Sequence, residues 1–102
     1  MLYATRGGVY GMKGDFDKAI ADCTQAIRFD PSNPATYVNR GTAYSAKGEQ
    51  DKAIADFTAA IRLDPTDAQT YQARGLAYEK KGEKAKAEED FAQAKKLEGK
   101  PN

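Results

Sequence analysis

The middle third of the chain sets out the pattern most plainly. Between Glu49 and Asp64 an apolar stripe is formed by Ala53, Ile54, Phe57, Ala60 and Ile61. Spacings of three and four place them on one face of a helix. Upstream, Tyr37, Arg40, Gly41 and Tyr44 recur at the same helical spacing. Asn33-Pro34 predicts the start of that first helix, since Asn caps a helix and Pro suits its opening turn. Lys47-Gly48 predicts its end, because Gly tolerates the left-handed terminal conformation. Glu49 to Asp51 open the second helix with acid at its positive end. Asp64-Pro65 stops it, because proline removes a hydrogen bond and clashes with the preceding turn.

The pattern occurs three times. Tyr3–Pro31, Tyr37–Pro65 and Tyr71–Gly99 are in register, each beginning 34 residues after the last (positions 3, 37 and 71). A fixed period of that length, without insertion or deletion, predicts a stacked helical array. The helices are expected at about Met1–Lys13 and Phe16–Phe29, then at the middle pair, then at Ala68–Lys81 and Lys84–Leu97. No segment alternates as a strand does. The chain therefore reads as all-α, with one helical pair in each of residues 1–33, 34–67 and 68–102.

Small residues recur in phase as well. Gly7, Gly41 and Gly75 sit inside first helices, where glycine costs about 1 kcal/mol relative to alanine. A cost repeated three times implies a packing need, and the expected partners are Ala19, Ala53 and Ala87 of the second helices. These columns resemble the tetratricopeptide repeat (TPR) family. The middle copy carries its aromatic, Gly, Tyr, Gly, Ala, aromatic, Ala and Pro positions as Tyr37, Gly41, Tyr44, Gly48, Ala53, Phe57, Ala60 and Pro65. The other copies match at most of the same columns. The resemblance implies a right-handed α-solenoid of three helix-turn-helix hairpins, with the first helix of each pair lining a concave face.

Two columns depart from that family. Where it usually has Leu before the Gly, this chain has Arg6, Arg40 and Arg74, and the second helices carry Asp22, Asp56 and Asp90 in step. An Arg–Asp ion pair is expected, within each repeat or between neighbours, because a guanidinium fork binds a carboxylate at two points. The competing reading is an arginine row for an acidic ligand. Cys23 replaces the aromatic found as Phe57 and Phe91. It is expected to be a small buried apolar residue, with Phe16 and Phe29 filling the missing volume.

The two ends differ. In the third copy Ile54, Ala55 and Ile61 become Glu88, Glu89 and Lys95, a polar end of the kind arrays need for solubility. At the other end, Leu2, Tyr3, Val9, Tyr10 and Met12 precede any cap. This predicts that the chain is part of a longer array or a homo-oligomer formed through its N-terminal repeat.

Composition narrows the chemistry. There are 102 residues, 16 Lys and Arg against 15 Asp and Glu, no histidine and one cysteine. That balance creates no field for nucleic acid, and no apolar run is long enough for membrane insertion. Without histidine or a second cysteine, catalytic triads and Cys/His metal sites are ruled out within one chain. No phosphate-binding glycine loop is present. We therefore expect a non-enzyme with no cofactor, no signal peptide visible before the first repeat, and the cytoplasm as its compartment.

By the resemblance, the expected function is a scaffold holding a protein or peptide partner in the concave groove. Its floor would comprise Ala4, Thr5, Gly8 and Met12 from the first repeat. The second would add Val38, Asn39, Thr42 and Ser45, and the third Gln69, Gln72 and Leu76. Family members that hold acidic chaperone tails use a clamp of Lys and Asn, then Asn, then Lys and Arg. Those columns here hold Ala4, Gly8, Asn39, Gln69 and Ala73, of which Asn39 alone matches, so chaperone-tail binding in this frame is not expected. The alternative function is structural, self-assembly through the uncapped N-terminal repeat.

Overall fold

The computed structural model describes residues 15–99. It holds five helices: α1 Phe16–Phe29, α2 Pro34–Ala46, α3 Gln50–Leu63, α4 Ala68–Lys81 and α5 Lys84–Leu97. No strand occurs among the described residues. The helix expected at Met1–Lys13 lies outside them.

Local sequence explains each boundary. The side chains of Asp15, Asn33 and Asp67 accept hydrogen bonds from the free N–H groups of Lys18, Ala35 and Gln69, and Pro34 fills the first turn of α2. Gly48 ends α2 with φ of 86°. Its N–H bonds the Ser45 carbonyl and the Glu49 N–H bonds the Tyr44 carbonyl, both at 2.9 Å. This double closure needs a left-handed residue, hence glycine. Gly82 does the same for α4. The second helices end differently: Asp64 turns extended, and its carboxylate accepts the Thr66 N–H and hydroxyl at 3.1 and 2.6 Å. Asp30 and Ser32 repeat that turn after α1.

Packing is almost wholly between consecutive helices. α2 lies on α3 and α4 on α5 within repeats, while α1 meets α2 and α3 meets α4 between them. Beyond these neighbours, α2 also touches α4. Ala53, Phe57 and Ala77 form the core of the second junction, with Val38, Tyr44, Ile54 and Ala73 packed around it.

The glycine column has a different partner from the expected alanine. A Cβ on Gly41 would lie 2.8 Å from Phe57 Cε1, and one on Gly75 would lie 2.6 Å from Phe91 Cε1. The aromatic ring of the second helix, rather than Ala53 or Ala87, occupies the space over the glycine. Those alanines are buried nonetheless. Cys23, in the ring's column, is fully buried and unpaired in any disulfide. Phe29 does not fill volume beside it: that residue ends α1 and is 78% exposed.

Candidate functional site

Two sets of polar side chains organise the array. Arg40, on α2, donates from Nε and Nη2 to the two carboxylate oxygens of Asp56 on α3, both at 2.8 Å. Arg74 and Asp90 repeat this at the same distances. Of the two pairings left open by the sequence, the structure contains the one within a repeat. Asp56 and Asp90 are buried, so the pairing satisfies charges that would otherwise be costly. The hydrogen bond to the aspartate, ahead of the carboxylate's negative charge, pushes the Arg40 and Arg74 pKa values up. Asp22 is also buried, whereas Arg6 lies outside the described residues.

A third bond was not legible beforehand. Arg40 Nη1 donates to the Thr24 hydroxyl of α1 at 3.2 Å, and Arg74 Nη1 to Thr58 of α3 at 3.1 Å. The Thr24 hydroxyl in turn donates to the Ile20 carbonyl at 2.7 Å, which leaves its lone pairs for the arginine. Each arginine thus ties its own repeat to the preceding one. Tyr37 and Tyr44 flank the Arg40 guanidinium, each ring centre 5.9 Å from Cζ, and Tyr71 and Tyr78 flank Arg74 similarly. Among the described residues, both arginine forks are taken up by a carboxylate of their own repeat and neither is open to an acidic ligand. A second tie joins helix ends: Lys47 pairs with Asp17 and Lys81 with Asp51, each across a repeat junction.

The expected binding face is only partly assembled into one surface. Thr42, Ser45 and Leu76 line a depression of about 240 Å³ between α2 and α4. Ala46, Phe57, Ala73 and Lys80 complete it. Of these four, Phe57 is buried, and Ala73 packs against the core it belongs to. Gln72 and Leu76 line a second depression with Phe91 and Lys95. Leu76, 51% exposed, is the ridge between the two. Val38 instead packs against the core. Asn39 is half-buried, while Gln69 is exposed in the first turn of α4, its N–H bound by Asp67. Ser45 is engaged by Gln50 at 2.8 Å. Ala4, Thr5, Gly8 and Met12 lie outside the described residues. Among the described residues no group of His, Cys, Asp and Glu could hold a metal, and no helix is long and apolar enough to cross a membrane.

Paired antiparallel helices stacked through small residues define a helical-repeat protein. Family models for "TPR repeat" match residues 7–48 and 41–82, and one for "Tetratricopeptide repeat" matches 68–101. The chain belongs to the tetratricopeptide repeat family. Among solved structures it is similar to the second TPR of Spaghetti (RPAP3) bound to the HSP90 peptide SRMEEVD. That match has 29% identity and a TM-score of 0.88, covering 93% of this chain and 88% of that one. The first TPR of Spaghetti, bound to the same peptide, matches with 27% identity and a TM-score of 0.92, covering 98% and 79%. The Sgt2 TPR domain from Aspergillus fumigatus matches with 31% identity and a TM-score of 0.91, covering 95% and 64%. No curated protein sequence matches the chain.

Proposed function

We propose that this chain is a protein-interaction scaffold that holds a partner segment in the groove between its first helices. The observation that carries this reading is the depression between α2 and α4, where Phe57 and Ala73 form an apolar base beside Leu76, with Thr42, Ser45 and Lys80 at its edge. Such a site suits one apolar side chain of an extended or helical segment, with nearby polar groups orienting its backbone. Two similar structures hold a peptide, which supports the same use of the fold here. Val38, Asn39, Gln69 and Gln72 would contribute less directly, by shaping the floor and offering amide groups.

The ligand class differs from that of those neighbours. The cation columns of the chaperone-tail clamp hold Ala4, Gln69 and Ala73, so little here balances a cluster of carboxylates. Titration calorimetry with the peptide SRMEEVD should therefore give no binding at high micromolar concentration. Panning a random peptide library on the 102-residue chain should yield binders with an apolar anchor that lose affinity for Thr42→Arg. Selected peptides that bind Thr42→Arg as well as the parent would sink the groove assignment. Micromolar affinity for SRMEEVD would sink the ligand class alone.

Self-assembly through Leu2, Tyr3 and Val9 concerns residues outside the described range. No observation favours it over the groove. A membrane-spanning role gains no support from the described helices.

A further inference from the structure

Lys47, Lys80 and Lys81 stand at the C-terminal ends of α2 and α4. Two of them hold the array together: Lys47 pairs with Asp17 and Glu49, and Lys81 with Asp51 and Glu83. These two share one column of the repeat. Lys80 stands outside that scheme. It is exposed at the edge of the depression between α2 and α4, and among the described residues it has no hydrogen-bond or ion-pair partner. Its column in the second repeat holds Ala46, so stacking does not require a cation there.

The polar groups across the depression have the opposite character. Thr42 and Ser45 each carry one hydroxyl proton, and both protons are spent within the protein. Thr42 donates to the Val38 carbonyl and Ser45 to Gln50 Oε1, each at 2.8 Å. Their oxygens are then left only to accept. Of the side chains lining the depression, Lys80 is the one with donors to spare. Glu79, the neighbouring charge on α4, does not line it.

A ligand must match that division. A carboxylate in the depression finds its donor at Lys80, and further carboxylates would face acceptors. Backbone N–H groups find acceptors on α2. Two such acceptors, Thr42 and Ser45, suit a chain that runs on past its anchor better than one that ends there. Leu76 and Lys80 lie one turn apart on α4, about 6 Å along its axis. Two residues of an extended chain span about 7 Å and point their side chains the same way.

We propose that Lys80 selects the partner. The depression takes an extended segment with one apolar side chain against Ala73 and Leu76 and a single aspartate or glutamate two residues away, its carboxylate on Lys80. This rests on the groove being the partner site, and it names what that site prefers.

The probe is a displayed library of short random peptides, fused at both ends so that no terminal carboxylate is presented. It is panned on the 102-residue chain and in parallel on Lys80→Glu. Peptides selected on the parent should carry Asp or Glu two residues from a large apolar residue, and those selected on Lys80→Glu should carry Lys or Arg there. One parent-selected peptide is then synthesised with fluorescein and capped ends, its acid written as Glu, Gln or Lys. Anisotropy at low salt should show the Gln form binding about two- to fivefold more weakly than the Glu form, the scale of an exposed ion pair. Lys80→Ala should bring those two forms level, and Lys80→Glu should favour the Lys form. Arg62→Glu, which reverses another exposed cation, should leave the order unchanged, with circular dichroism the same for every variant. Identical selections on both baits, or a Glu–Gln difference that persists in Lys80→Ala, would overturn the acid preference. So would a preference that appears only when the peptide's C-terminus is left free. In each case the groove itself still stands if the peptides lose affinity for Thr42→Arg. Peptides indifferent to Thr42→Arg would instead overturn the groove.

Discussion

Replacing Asp56 by alanine removes the acceptor for two guanidinium N–H groups of a largely buried arginine. The carboxylate is 5% exposed and the Arg40 side chain 20% exposed, with tyrosine rings on both sides. Breaking such a pair from one side typically costs about 3–5 kcal/mol, because a charge stays buried without its partner. A domain of this size is stable by only about 5–15 kcal/mol. The melting temperature should therefore fall by about 12 °C or more, at roughly 4–8 °C per kcal/mol. Thermal and urea unfolding followed by circular dichroism read the effect directly. Two controls sharpen it. Arg40→Met with Asp56→Leu removes both charges and should recover much of the loss, since an apolar pair can replace a buried ion pair. Asp17→Ala breaks an exposed tie to Lys47 and should leave the melting temperature unchanged within error. An Asp56→Ala protein as stable as the Asp17→Ala protein would refute the reasoning, as would a double variant no more stable than the single one.

Three further outcomes follow from the same geometry. Thr24→Val deletes the acceptor for Arg40 Nη1 and should cost about 1 kcal/mol in urea unfolding, coupled to Arg40 in a double-mutant cycle; additivity would show that the junction bond is idle. Gly41→Ala should destabilise by about 1–3 kcal/mol through overpacking, because the Phe57 ring it meets is enclosed. Gly75→Ala should cost less despite its closer contact, because Phe91 has open space to move into. The reverse ranking by thermal melts would contradict this. Burial pushes the Cys23 thiol from 9.0 up to about 11. The folded state then holds a proton that the unfolded state has released, so stability is full below pH 9 and falls as pH rises toward 11. Cys23→Ala should flatten that fall in urea midpoints, and native Cys23 should resist Ellman's reagent at pH 8; prompt labelling would show it accessible.

Much of the architecture was readable as text. The helix limits of α1, α4 and α5, the Asn33 cap, the Gly48 closure and the Asp64 stop all depend on a few adjacent residues. Their backbone preferences act over one turn. The Arg–Asp pairing was visible because both columns recur in step. Its threonine was not, since a hydroxyl on a helix surface gives no sign of which neighbour it meets. The glycine's true partner was missed for a related reason: period alone does not say how far a phenylalanine ring leans. Phe29 was misplaced because volume was counted without direction.

The sequence by itself therefore determined what is local or periodic: an all-α chain, its helix ends, the repeat, and the absence of histidine-based chemistry. Only the tertiary structure decided where side chains meet across 16 or more residues. Which arginine oxygen partners lie within a repeat and which lie across the junction depends on helix separation and rotamer. The same is true of the candidate groove. Thr42, Ser45 and Leu76 converge because α2 and α4 pack side by side, while Val38 turns inward, and Phe57 and Ala73 close the depression from the core side. Linear spacing fixes a residue's place on its own helix. The distance between helices is set by everything packed between them.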